Sequence, residues 1–166
     1  MKFMNRSKGH SDGMKVRGFF NVQIIEYGRG IVKDLGWKEN QITNGGILNF
    51  LINGILPSAI GKTIGWMSLG TGSAPSAGDT VLEDEVSTRS AVIGSVVGGD
   101  TARFIASFPP SASLLAHPIT LSNVGLFDSG VVIGSILFSG GDINPTQVWV
   151  DNQTLKVTYD IVFASA

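Results

Sequence analysis

The sequence predicts an all-β fold with one helix, and three observations predict it. Charged residues make up only 15% of the chain, while hydrophobic residues reach 43% and there are 22 glycines. This is the composition of short strands joined by tight turns. Segments of strict two-residue period recur along the chain. Glycine pairs next to aspartate or serine punctuate them at short intervals. With 166 residues the chain suits one domain with a sizeable core. Residues 14–166 are expected to form a single β-sandwich, jelly-roll-like, behind a flexible basic arm over residues 1–13.

The arm, Met1 to Gly13, is polar and aperiodic and carries Lys2, Arg6 and Lys8. No apolar stretch of the signal-peptide kind follows it. Residues 14–27 alternate, with Val16, Phe20, Val22 and Ile24 on one face and Lys15, Arg17, Asn21 and Gln23 on the other, which predicts a half-buried strand. Gly28-Arg29-Gly30 turns the chain into a return strand over 31–35. Residues 45–56 predict the helix. Thr43 or Asn44 can cap its first N–H groups, Pro57 stops it, and Ile47, Leu51 and Ile55 recur at i+4. Apolar nearly all round, it is expected to be a buried plug.

Strands are then expected over 63–69, 86–97, 101–108, 119–127, 131–138, 146–150 and 154–163. The last is the clearest, with Leu155, Val157, Tyr159, Ile161 and Phe163 facing one way. In residues 131–138 both faces are apolar, which implies cover on both sides. Gly98-Gly99-Asp100, Asp128-Ser129-Gly130 and Gly140-Gly141-Asp142 read as hairpin turns.

Charge is unevenly spread. Residues 1–62 hold nine Lys/Arg and four Asp/Glu, and residues 63–166 hold three and nine. Opposite signs in the two halves favour contacts between copies. A mean hydropathy of +0.24 suggests that part of the apolar content is covered by a partner chain. The absence of cysteine excludes a disulfide framework, a thiolate metal site and a cysteine nucleophile. No apolar run is long enough for a transmembrane helix.

Residue patterns that could carry chemistry are few. Gly61-Lys62-Thr63 ends like a phosphate loop, but Leu56 stands where the leading glycine should be. Gly70-Thr71-Gly72 lacks its third glycine at Pro75. Glu83, Asp84 and Glu85 form one carboxylate cluster, which could serve acid–base or calcium chemistry. It could equally be a strand start facing Arg89, the reading favoured here because nothing supplies an apolar cleft. The two histidines, His10 and His117, lie in the arm and in a loop. No serine elbow is present, and no cofactor, metal or catalytic residue is expected. The basic residues lack an aromatic surface or a recognition helix, so nucleic acid is not an expected partner. Of Trp37, Trp66 and Trp149, Trp66 is expected in the core. Trp149 is expected on the surface, where it could meet a partner or a sugar.

One stretch is more informative than the rest. Trp66-Met67-Ser68-Leu69-Gly70-Thr71-Gly72 leads through a Ser/Ala/Pro/Gly loop into Leu82-Glu83-Asp84-Glu85-Val86-Ser87-Thr88-Arg89. It reads as a loop built to hold two strands. Together with Asn40-Gln41-Ile42-Thr43-Asn44-Gly45-Gly46, Asn123-Val124-Gly125-Leu126-Phe127-Asp128 and the closing strand, in that order, it resembles tailed-bacteriophage virion proteins. These are the capsid decoration (cement) proteins and the N-terminal domains of tail or collar fibres. The likeness spans roughly residues 37–163. It implies a β-rich virion subunit, often trimeric, with no catalytic residues to carry over.

The expected function is therefore a capsid decoration protein that binds across capsomers and stabilises the head. The expected partners are further copies of itself and the major capsid protein or another virion protein. A neck or tail component is the alternative, and a carbohydrate- or receptor-binding module a further one. Lys2, Arg6, Lys8, Lys15, Arg17 and Trp149 are the candidate partner-binding residues.

Overall fold

The computed structural model describes residues 13–57 and 60–165. It contains ten antiparallel strands: β1 (Met14–Glu26), β2 (Gly30–Asp34), β3 (Lys38–Ile42), β4 (Trp66–Gly70), β5 (Ser90–Ala91), β6 (Ile93–Val97), β7 (Thr101–Phe108), β8 (Ile119–Phe127), β9 (Leu137–Trp149) and β10 (Gln153–Ser165). A helical segment, α1, spans residues 44–55 between β3 and β4. It begins and ends as α-helix and widens to a π-helix over Ile47–Ile52.

All ten strands belong to one sheet, in the order β5-β4-β8-β9-β3-β1-β10-β7-β6, with β2 added on β1. β5 and β6 follow each other in the chain with only Val92 between them. One segment therefore pairs first with β4 and then with β7, and joins the two ends of the sheet. On the opposite side β3 pairs with both β1 and β9. The expected all-β class with a minor helix holds. The expected jelly-roll-like sandwich is instead a flattened, nearly closed barrel, because two bent segments carry the ladder around both edges.

The barrel is filled from the strands that the two-residue period marks most clearly. Phe20, Val22 and Ile24 of β1 and Leu155, Val157, Tyr159 and Ile161 of β10 point inward, as predicted. β1 and β10 pair along their whole length, from Met14 opposite Ser165 to Glu26 opposite Gln153. Phe20 stacks on Tyr159 at 5.8 Å. Full burial pushes the Tyr159 hydroxyl well above its usual range, and it is satisfied by Ser139 at 2.8 Å.

Four sequence expectations fail for identifiable reasons. Gly140 and Gly141 lie inside β9 and form no turn. A Cβ on Gly140 would press on Pro75 and one on Gly141 on the Phe20 ring, so glycine here permits close packing. Trp149 is wholly buried, with its indole N–H donated to the Gln153 carbonyl and its ring edge-on to His117. It is not a surface partner residue. In the strand Val148-Trp149-Val150 both faces are apolar, and the larger side chain takes the interior.

Residues 131–136 are loop, not strand, and leave Val131, Val132 and Ile133 exposed. The helix is not a buried plug either. The strands already fill the barrel, so α1 lies across its end and buries only Gly46 and Phe50, the latter edge-on to Phe138 at 5.0 Å. Its start is as predicted. The Thr43 hydroxyl accepts from Gly46 N–H at 2.9 Å and donates to the Leu137 carbonyl at 2.6 Å.

Candidate functional site

The end of the barrel that carries α1 also holds the starts of β1, β4, β7 and β9 and the ends of β3, β8 and β10. Three connections gather there with the helix. The strap 71–85 leaves β4, crosses the outer face of β8 and β9, and reaches α1, where the Ala77 carbonyl accepts from Asn44 N–H at 2.7 Å. The segment after α1 returns to it through Lys62 N–H to the Asn49 carbonyl. The loop 128–136 joins β8 to β9.

These elements place an unusual number of large apolar side chains in solvent. Ile47, Leu48, Ile52 and Ile55 of α1, Leu56 and Ile60 behind it, Val81 of the strap and Val131, Val132 and Ile133 of the loop are all exposed. Ile55, Ile60 and Ile133 are 82, 92 and 91% exposed. Single exposed apolar side chains are ordinary, but so many gathered at one barrel end mark a candidate interaction surface. Beside the helix lies a groove of about 880 Å³, lined mainly by Met14, Val16, Phe50, Leu51, Ile55 and Phe163, with Arg17 and Glu39 at its rim. Those two are already paired, the guanidinium donating to the carboxylate at 3.0 and 3.1 Å.

The resembling stretch Leu82–Arg89 serves to build this surface. Glu85 and Arg89 form a two-bonded pair at 2.8 and 3.0 Å, with side chains 11 and 1% exposed. The guanidinium also lies 3.6 Å from the centre of the Phe127 ring. It donates as well to the carbonyls of Ser129 and Val131 at the base of the loop 128–136. Glu83 turns outward and accepts from Ser73 N–H at 2.7 Å. That bond and the Ser73 hydroxyl hold its carboxyl below the usual range. The carboxylates are thus parted: Glu85 meets Arg89 as the favoured reading has it, whereas Glu83 turns to Ser73, and in place of a strand start residues 83–84 form a turn ahead of the isolated bridge at Glu85. Among the described residues no group of three or more His, Cys, Asp or Glu is placed to hold a metal ion.

Asn123, wholly buried on β8, holds the strap. Its amide donates to the carbonyls of Ser73 and Glu83 at 2.9 and 3.0 Å, one on each limb. Beneath the strap Leu82, Phe127 and Leu137 form a second small core, with Trp66 packed against it. The expectation that this stretch holds strands is met. The clamp residue was hidden in a motif whose polar position has no visible partner in the sequence.

Asp128 closes the neck of the loop. It accepts from Ile136 N–H at 2.8 Å and meets the Lys62 ammonium at 2.9 Å. Burial pushes its carboxyl up, but the Ile136 N–H and the Lys62 charge outweigh this and hold it below the usual carboxylate range. A carboxyl held lower in the folded chain adds stability above its unfolded pKa of about 3.9, and that stability is lost as pH falls through the folded value. Asp128→Asn is expected to lower the thermal midpoint at neutral pH and to flatten the acid limb of the stability curve below about pH 5. Parallel acid limbs for the two proteins would contradict this role.

Of the candidate partner residues, Lys2, Arg6 and Lys8 lie outside the described residues. Lys15 is exposed on β1, and Arg17 lines the groove. Trp149 lies in the barrel interior. Trp37 is half exposed under Arg103, and Trp66 is partly covered, so the three tryptophans form no common platform. No helix among the described residues is long and apolar enough to cross a membrane. Neither protein-family models, nor curated proteins, nor solved structures give a match to this chain.

Proposed function

We propose that this chain is a structural subunit of a bacteriophage particle, a capsid decoration protein that attaches across capsomers and reinforces the head. The observation that carries the reading is the apolar barrel end. Apolar side chains gathered in this way form a contact site for another molecule, and a protein partner is the reading adopted. The sequence stretches that resemble virion proteins support it further, because they supply the strap, its clamp and the Arg89 brace that shape this end. Attachment is by binding alone, with apolar area removed from water at about 25 cal/mol per Å² before the entropic losses of association.

The basic arm, with Lys2, Arg6 and Lys8, together with Lys15 and Arg17 of β1, provides the contact with an acidic shell surface. Deleting residues 1–13 is expected to leave the barrel folded and to weaken attachment to particles in co-sedimentation. Undiminished attachment would remove the arm from the reading. Quantitative mass spectrometry of purified virions tests the function itself. A copy number in step with the capsomers is expected. A few copies per particle would place the chain in the neck or tail, and absence from the virion would overturn the reading.

A further inference from the structure

We infer that the groove beside α1 is filled by the loop 128–136 of a second copy of this chain. The loop is built to present its tip. Asp128 closes its neck, Arg89 fixes its first limb, and the Ser135 hydroxyl donates to the Val132 carbonyl at 2.9 Å. Gly134, with φ of +75°, completes the turn. The product is a braced loop whose three outermost side chains are Val131, Val132 and Ile133, all in solvent. A loop ordered in advance loses little entropy on docking, which is how an apolar anchor becomes effective.

The groove is its complement. It is apolar, open, and large enough for three branched side chains. Loop and groove lie at the same barrel end but on different sides of it. The groove opens along β1, β3 and β10, and the loop rises between β8 and β9. A chain cannot fill its own groove across the helix, but it can fill a neighbour's.

Charge selects the same occupant. The ionic groups nearest both surfaces are paired within the chain: Arg17 with Glu39 at the groove, Arg89 with Glu85 and Lys62 with Asp128 at the loop. A charged partner would gain nothing there, whereas an uncharged apolar one fits without leaving an ion unpaired. A head-to-tail contact engages the loop of one copy and the groove of the next, so every copy covers both of these apolar surfaces in two contacts. Because two different surfaces meet, the contact runs head to tail and closes into a ring or extends as a filament. The virion-subunit reading, which this inference deepens and on which it rests, favours the ring.

The test uses the full chain in sedimentation velocity, with Ile133→Glu at the loop tip and Ile55→Glu at the groove. Both positions are exposed, so circular dichroism should match the wild type. Wild type is expected at a multiple of 17.5 kDa and each variant at the single-chain mass. An equimolar mixture of the two variants is expected to form one-to-one pairs, because it restores one intact loop and one intact groove. As the chain has no cysteine, mixed Ile133→Cys and Ile55→Cys chains trap the same pair on oxidation, and the mixed disulfide should exceed either self-disulfide.

A single-chain wild type, a variant that keeps the wild-type mass, or a mixture that stays unpaired and untrapped would overturn the inference. A single-chain wild type that still loads onto particles at capsomer copy number would overturn it while leaving the decoration reading standing. The opposite result, association intact and no virion copies, would remove the reading alone.

Discussion

Arg89→Ala is expected to destabilise the barrel by about 3–5 kcal/mol, the usual cost of stranding one member of a buried ion pair. For a chain of this length that corresponds to a fall in thermal midpoint of roughly 10 °C. The guanidinium has three tasks: it satisfies Glu85, it covers the Phe127 ring, and it ties the loop 128–136 to the strand that follows the strap. Arg89→Lys should recover little, because an ammonium cannot make the two-bonded contact or stack in the same way. The pair Arg89→Ala and Glu85→Ala should be less damaging together than the sum of the single changes, since the double variant buries no lone charge. A loss below about 1 kcal/mol for Arg89→Ala would mean that the pair is held like a surface salt bridge and braces nothing.

Asn123→Asp should be nearly as severe. The substitution turns a donor that faces two carbonyls into a carboxyl, in a wholly buried site. Two hydrogen bonds are lost and acceptor meets acceptor, which is worth about 3 kcal/mol. The effect should be local as well as global. With its clamp broken, the strap 71–85 is expected to exchange its amide hydrogens much faster than β1 or β10, and to become the first site of proteolytic cleavage. Unchanged exchange in the strap would show that Asn123 does not hold it.

The parts of the fold that were legible in the sequence are those where one chain decides its own burial. β7 and β8 fall at the predicted residues, and β1 and β10 within two of them; in β1 and β10 a polar face alternates with an apolar face that the barrel itself covers, while β8 is marked by its apolar content and is buried on both faces over 123–127. Thr43 and Pro57 mark the ends of α1 because capping and the missing proline N–H are local effects. β3 was missed. Its segment Lys38-Glu39-Asn40-Gln41-Ile42 is polar up to its last residue, and Asn40 faces a hydrogen bond to Ser139 in place of a hydrophobic neighbour.

The candidate site was misread for a different reason. An apolar run states that water is excluded, but not by which chain. Val131 to Ile133 and the outer face of α1 look like core in the sequence and form the surface in the structure. The mean hydropathy raises the expectation of a covering partner, without saying which segments it concerns.

The pairing of Met14 with Ser165 gives the molecule a polarity that matters for anyone who wishes to decorate it. In the head-to-tail assembly inferred above, tags placed directly ahead of β1 or behind β10 would emerge at the end that carries the groove and the loop. The turn 27–29 lies at the far end, where the Tyr27 side chain is almost fully in solvent. A peptide grafted there would face outward, and should leave assembly undisturbed while a terminal tag of the same size impedes it.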